Sequence, residues 1–373
     1  MVIGTRFLPS MRLIITGGGT GGHLFPGIAL ATGMQKRVPA TRVLFIGTSR
    51  LLDQQALAGQ GFELVALDCG GVKGLSFIAK LRSLLLMPGA VVAAIRLLRH
   101  FKPDLVFGVG GYVTGPVLLA ACLLRIPIGI HEQNSVPGMA NRLAGWLVDR
   151  ICISLPCTPP FPPAKTVQTG NPVRQEILAA ASQEKQVAEV PTLLVLGGSQ
   201  GAHRVNLLML EAIEILVAQK VPLRLIHQTG AADQELVTQG YARLGIEATV
   251  VSFITDMAGA YSRTDLVVSR AGATTLAELA VMGLPALLIP YPYAADNHQV
   301  TNGEYYARNG GALVLKESGL TGEILARAIS ERLHNSAELH TMAASMKTMA
   351  MPDATDRIVD ECLQLAAWTG RSL

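Results

Sequence analysis

The run Gly17-Gly18-Gly19-Thr20-Gly21-Gly22-His23 carries the densest chemical signal in the chain. A strand-like apolar segment at 12–16 precedes it, and a helical stretch at 25–37 follows. In a strand–glycine turn–helix unit, backbone N–H groups can close on a phosphate while the helix dipole favours its charge. Gly17, Gly19 and Gly22 satisfy G-x-G-x-x-G, a pattern too common to identify a ligand by itself. A nicotinamide dinucleotide would require an acid at the end of the second strand, and Phe45-Ile46-Gly47-Thr48 has none. That counts against a dehydrogenase. The loop also lacks the Lys-Ser/Thr of a P-loop, which counts against an ATPase. His23 has the chemistry to take a proton from a hydroxyl near neutral pH, and its position equally suits a helix cap or a phosphate contact.

Further polar groups sit where other strands should end. Gly110-Gly111-Tyr112 follows the fourth strand, and His131-Glu132-Gln133-Asn134 ends the fifth. Four polar residues after a buried strand are costly unless water or a ligand takes them. In the second half, Gly197-Gly198-Ser199-Gln200-Gly201-Ala202 offers another phosphate cradle. Ser269-Arg270-Ala271-Gly272 leads into Ala273-Thr274-Thr275-Leu276-Ala277-Glu278, whose first residues would present helix-start N–H groups. Glu278 suits the two hydroxyls of a ribose, and its spacing from Thr275 also fits a capping box. Asp296-Asn297-His298-Gln299 suits sugar hydroxyls or a helix cap. No Asp-x-Asp occurs, so no metal and no other cofactor is expected. Glycine loops and helix dipoles would then carry a diphosphate's charge.

Stepping outward, the elements needed to position these loops alternate regularly. Apolar strand candidates lie at 12–16, 42–47, 62–67, 104–108, 127–131, 150–154 and 166–169, with amphipathic stretches between them. The pattern restarts at 192–196 and continues at 223–228, 248–252, 266–269, 285–289 and 312–315. Continuous apolar strands alternating with helices predict parallel sheets covered on both faces. The fold class is therefore α/β, with two doubly wound, Rossmann-like domains whose ligands sit at the carboxyl ends of both sheets, in the cleft between them. The crossover is placed near 171–190. A last helix is expected from Pro352 onward.

The net charge of +4 hides an asymmetry: residues 1–168 hold 16 Lys+Arg and 6 Asp+Glu, a balance of +10, which leaves −6 for the remainder. Such a split suits one domain facing an anionic partner, or chance scatter. Between residues 74 and 102, Leu75, Phe77, Ile78, Leu81 and Leu84 to Met87 interleave with Lys80, Arg82, Arg96, Arg99 and Lys102 beside Lys73. This fits shallow insertion among anionic lipid headgroups, or a core-facing helix with a basic outer face. No apolar run reaches transmembrane length, and residues 1–19 do not read as a signal peptide. The five cysteines show no metal-ligand or C-x-x-C spacing and read as reduced thiols.

With these residues in view, the chain resembles the MurG family of UDP-N-acetylglucosamine transferases, GT-B enzymes of peptidoglycan synthesis. The motifs that carry the resemblance are GGGTGGH at 17–23, GGYVTGP at 110–116, HEQN at 131–134, GNPVR at 170–174 and GGSQGA at 197–202. FITDM at 253–257, SRAGATTLAE at 269–278 and DNHQ at 296–299 complete them in family order. The resemblance implies an acceptor- and membrane-facing domain of residues 1–170 plus 352–373, and a UDP-sugar domain of residues 171–351. It implies that Thr20, Gly21 and Gly22 line the sugar-diphosphate cleft and that Asn134 reaches the donor sugar. Arg174, Ser199 and Ile254 would contact the nucleotide. Ala273, Thr274, Thr275, Leu276, Ala277 and Glu278 would hold phosphate and ribose, and Gln299 would read sugar hydroxyls. Gly18, Gly19, Tyr112 and His131 would meet the acceptor, and His23 corresponds to a base or acceptor ligand. His298 stands where many relatives carry Gln.

The expected reaction is one inverting displacement in which His23 or Glu132 takes the proton of the muramyl 4-hydroxyl. The expected partners are UDP-N-acetylglucosamine, undecaprenyl-pyrophosphoryl-MurNAc-pentapeptide (lipid I) and an anionic membrane surface, with no nucleic acid. The expected place is the cytoplasmic face of the inner membrane, bound peripherally. A UDP-sugar epimerase, another lipid glycosyltransferase and a non-catalytic nucleotide-sugar-binding subunit remain as rivals.

Overall fold

The computed structural model describes residues 10–18, 21–48, 57, 60–67, 77–183, 188–198 and 200–367, with only the backbone described at 21 and 77–86. Two compact units divide the chain: residues 1–172 with 353–373, and residues 173–352.

In the first unit the strands are β1 (Arg12–Gly17), β2 (Arg42–Gly47), β3 (Glu63–Ala66), β4 (Leu105–Gly110), β5 (Ile128–Glu132), β6 (Arg150–Ile153) and β7 (Thr166–Gln168). They form one parallel sheet in the order β3-β2-β1-β4-β5-β6-β7. All of β4 and nearly all of β1 are buried, whereas the edge strand β3 is half exposed. Central strands lie under helices on both faces, so they need apolar side chains on both. One face packs Leu30, Ala31 and Met34 of the helix Gly21–Arg37 and Ile358, Val359 and Cys362 of the helix Ala354–Ala367. The chain's last helix thus returns to this sheet, and Arg37 pairs with Asp360 at 2.8 Å on its rim. The other face is covered by the helices Phe77–Phe101, Thr114–Leu123 and Met139–Ala144.

The second unit repeats the plan with β8 (Thr192–Leu196), β9 (Arg224–Gln228), β10 (Ala248–Val251), β11 (Leu266–Ser269), β12 (Ala286–Leu288) and β13 (Ala312–Val314). Its parallel order is β10-β9-β8-β11-β12-β13. The helices His203–Ala218, Gln234–Leu244 and Gly322–His334 close one face over Leu193, Val195, Val268 and Leu287. Two doubly wound parallel sheets are therefore present, as the strand–helix alternation requires.

In each sheet the winding reverses direction once, between β1 and β4 and between β8 and β11. At such a switch point the adjoining loops diverge to opposite faces, leaving a crevice at the carboxyl ends of the strands. The described glycines that follow these strands, Gly18 after β1 and Gly197 and Gly198 after β8, lie at those ends. The helix after β1 differs from expectation: it begins at Gly21, with Pro26 inside it, instead of at residue 25. Proline usually marks a first turn. Here it follows an earlier turn, in which its missing N–H leaves the Gly22 carbonyl without a helical donor.

Candidate functional site

The loops after β1 and β4 press together at the first unit's switch point. A Cβ on Gly111, whose φ is +96°, would stand 2.8 Å from the Gly18 carbonyl oxygen. Gly110, at φ +101°, has no room either: a Cβ there would be 2.9 Å from Cδ2 and 3.1 Å from Nε2 of His23. The half-buried His23 ring therefore lies against the β4 turn, within the first turn of its helix. Tyr112 follows this pair with an exposed ring.

The end of β5 is a buried polar clasp. His131 is enclosed: its Nε2 meets the Gly170 carbonyl at 3.0 Å and Ser154 Oγ at 3.2 Å, while Nδ1 faces Gln133 Nε2 at 3.3 Å. These partners assign the ring proton to Nε2. Burial pushes its pKa down to about 4, and the nearness of His23 adds to the fall, so the ring is neutral at pH 7. Glu132 turns both oxygens onto the following loop. Oε1 accepts from the backbone N–H of Asn134 at 3.0 Å and from its Nδ2 at 3.3 Å. Oε2 accepts from Gly138 N at 3.0 Å and Asn141 Nδ2 at 2.9 Å. Burial raises its pKa against these hydrogen bonds. The carboxylate thereby fixes the loop that presents Asn134.

In the second unit the helix Ala273–Met282 starts behind Gly272 with no side-chain cap. The Thr275–Glu278 capping box that the spacing allowed is not formed. Glu278 lies buried, with Arg174 Nε donating to Oε1 at 3.1 Å and the Tyr261 hydroxyl to Oε2 at 2.9 Å. Burial raises the Glu278 pKa and the Arg174 guanidinium opposes that. Leu276 makes the first intrahelical bond, to the Gly272 carbonyl. The amides of Ala273, Thr274 and Thr275 belong to the turn where a helix lacks internal acceptors, a favourable place for an anion. Ala277 lies on the same helix.

Two further loops flank this helix. Ile254 donates its N–H to Gln228 Oε1 at 2.9 Å. Gln299 Oε1 accepts from Tyr291 N at 2.9 Å, in a segment where Asp296 and Asn297 both take left-handed backbone at φ +51° and +53°. Such geometry costs roughly 1–2 kcal/mol per residue and is most tolerable for Asp and Asn. Arg270 Nη1 reaches the carbonyls of Ile289 at 3.1 Å and Pro290 at 3.3 Å, and pairs with Glu317.

The first unit thus gathers Gly18, His23, Tyr112, His131, Glu132 and Asn134, with Gly21 and Gly22 opening the helix. The second brings Arg174 to Glu278 at the start of the helix that carries Ala273 to Ala277. Gly19, Thr20 and Ser199 lie outside the described residues, as do Lys73 and Leu75 and the side chains of 77–86. Tyr261, Gln228 and Asn141 escaped the sequence reading, because a buried polar partner far along the chain leaves no local pattern. A surface escaped it too. Leu123, Met139, Leu143 and Trp146 are each more than 60 % exposed, on two adjoining helices and the turn after the second, beside exposed Arg125 and Arg142. Exposed apolar residues occur in two groups, Leu119 with Leu123 and Met139 with Leu143, Trp146 and Leu147.

Comparison with known proteins adds an independent finding. The family model described as the glycosyltransferase family 28 N-terminal domain matches residues 13–153, and that of the family 28 C-terminal domain matches residues 192–358. A Desulfotalea psychrophila protein named UDP-N-acetylglucosamine–N-acetylmuramyl-(pentapeptide) pyrophosphoryl-undecaprenol N-acetylglucosamine transferase is 48% identical over 356 residues, 95% of this chain and 96% of its own length. A Geobacter metallireducens protein of the same name is 44% identical over 95% of this chain and 98% of its own. Among solved structures, Acinetobacter baumannii MurG superposes with a TM-score of 0.81 at 34% identity, covering 95% of this chain and 100% of its own. A Neisseria meningitidis UDP-GlcNAc 2-epimerase reaches 0.67 at 14% identity, covering 95% and 100%, a likeness of fold alone.

Proposed function

The chain belongs to glycosyltransferase family 28, and from that premise we propose that it moves N-acetylglucosamine from UDP-N-acetylglucosamine to lipid I, giving lipid II for peptidoglycan synthesis. The observation that carries this reading is the 48% identity sustained over 95% of the chain to a relative whose name states that transfer. Fold alone does not separate a transferase from an epimerase, since both kinds share it.

The second unit holds the donor. Ala273, Thr274 and Thr275, with the 197–202 loop that contains Ser199, meet the diphosphate through backbone amides. Ile254 and Arg174 meet the nucleotide, Glu278 the ribose and Gln299 the sugar hydroxyls. The first unit holds the acceptor near Gly18, Gly19 and Tyr112, with Thr20, Gly21, Gly22 and Asn134 toward the transferred sugar. His23 takes the proton of the muramyl 4-hydroxyl as its oxygen bonds to the anomeric carbon. The bond from that carbon to the UDP oxygen breaks, configuration inverts from α to β, and UDP departs with its charge on amide donors. Glu132 and His131 are assigned to positioning, because their polar atoms are occupied by the loop and by Gly170. No metal enters this scheme.

Among the described residues no helix is long and apolar enough to cross a membrane. We assign the acceptor's lipid side to the patch of Leu123, Met139, Leu143 and Trp146, which lies near Arg125 and Arg142 and beside the helix that carries Arg96 and Arg99. Apolar insertion and cationic attraction to anionic headgroups act together on such a surface. Binding is peripheral, at the cytoplasmic face of the inner membrane. Incubation with labelled UDP-N-acetylglucosamine tests the function. Label should move only when a lipid I analogue is added, and isomerised sugar without acceptor would favour the epimerase instead.

A further inference from the structure

The segment His227-Gln228-Thr229-Gly230 closes β9 and is buried throughout, yet the transfer scheme leaves it unused. Gln228 bridges two loops with its amide. Its Nε2 donates to the Gly198 carbonyl at 2.9 Å, and its Oε1 accepts from Ile254 N at 2.9 Å. Donor and acceptor are each matched, and a flipped amide would set like against like at both ends. We propose that Gln228 is a positioning residue that holds the 197–202 loop and the 253–257 loop at one spacing for the donor nucleotide. The proposal rests on the donor assignment made above.

The anchor from which Gln228 extends is rigid. His227 Nδ1 faces the Tyr241 hydroxyl at 2.9 Å, and its Nε2 faces Asn206 Oδ1 at 3.1 Å. Asn206 Nδ2 donates to the Thr229 carbonyl at 2.9 Å and to Asp233 Oδ2 at 2.7 Å. Gly230 (φ +79°) backs onto the phosphate-loop side: a Cβ there would stand 2.6 Å from the Gln200 carbonyl oxygen. A buried network satisfied in this way admits one arrangement, so the spacing it sets is preset before ligand arrives. One loop would meet phosphate and the other the nucleoside. An error in their separation therefore falls on donor binding and spares the acceptor.

The test compares Gln228→Met, which keeps length and loses both hydrogen bonds, with Gln228→Glu, which keeps the acceptor for Ile254 and loses donation to Gly198. In transfer assays, Gln228→Met should raise the inhibition constant of UDP and the KM for UDP-N-acetylglucosamine by about tenfold or more. Acceptor KM and kcat at saturating donor should stay within about threefold, and Gln228→Glu should fall between the two. A UDP inhibition constant within about twofold of the wild type overturns the proposal, as does an equal rise in donor and acceptor KM. If Gln228→Met does not fold, Gln228→Glu decides alone, an unchanged UDP constant being the overturning result. Wild-type transfer that UDP fails to inhibit would instead sink the donor assignment itself.

Discussion

His23 lies against the Gly110 turn, and the proposed base depends on that position. Replacement by alanine removes the proton acceptor and leaves the surrounding turn intact. Turnover should fall by roughly 10²–10⁴, the usual worth of general base catalysis. Steady-state rates with saturating donor and acceptor check this, and a loss below about threefold would take His23 out of the role. Glu278 makes the opposite kind of prediction. Its oxygens are held by Arg174 and Tyr261, and in its proposed role at the ribose Glu278→Ala should weaken UDP binding far more than acceptor binding. Calorimetry with UDP and an acceptor analogue measures both, and equal losses contradict the ribose assignment. His227 offers a pH test. Burial pushes its pKa down to about 3, so the folded ring stays neutral where an unfolded one, with a pKa near 6.5, gains a proton. Stability from this group is complete above pH 6.5 and drains away as pH falls toward 3. Relative to a His227→Gln variant, wild type should lose about 2 kcal/mol between pH 7 and pH 5. Urea unfolding at the two pH values gives the difference. Asp233, His203 and Tyr241 remain in both proteins, so a pH-independent difference would contradict the buried neutral ring.

At the scale of elements, the strands were legible because central strands of a parallel sheet need unbroken apolar runs, and runs such as Thr192–Leu196 have few other uses. The start of the first helix was not. Two glycines each cost about 1 kcal/mol of helix propensity, and Pro26 reads as a first-turn residue. The helix nonetheless begins at Gly21, close after the turn in which Gly18 meets Gly111. The glycine loops could be read from composition, since little else suits them. The partners of Glu278 could not, because Arg174 stands 104 positions away in sequence. The surface proposed to face lipid shows the same limit. Cation–apolar interleaving pointed to residues 74–102, whose helix exposes Val92, Arg96 and Arg99 and whose side chains at 77–86 lie outside the described residues; no local pattern marked the more exposed Leu123, Met139, Leu143 and Trp146. Each of these side chains is mostly in water, so replacing Leu143 and Trp146 by serine should cost little stability. Sedimentation with vesicles containing anionic phospholipid should show binding weakened by about tenfold or more. Unchanged binding would remove this patch from the membrane surface.

On the scale of the molecule, two sheets share the same winding, each with its own switch point, and the proposed donor and acceptor contacts lie at the two. A first half at +10 and a second at −6 agree with an acceptor borne by anionic lipid and a donor that arrives from solution. The matches to both domains of family 28, and the identity spread across 95% of the chain, show that both halves belong to this family of transferases. The most direct measurement is the configuration of the newly formed linkage. Isotope-labelled UDP-N-acetylglucosamine is turned over with a lipid I analogue, and the anomeric centre of the product is read by NMR. A β-configured centre bonded to the muramyl 4-oxygen, formed from the α-configured donor, is the predicted result. An α-linked product, linkage to another hydroxyl, or no disaccharide at all would contradict it.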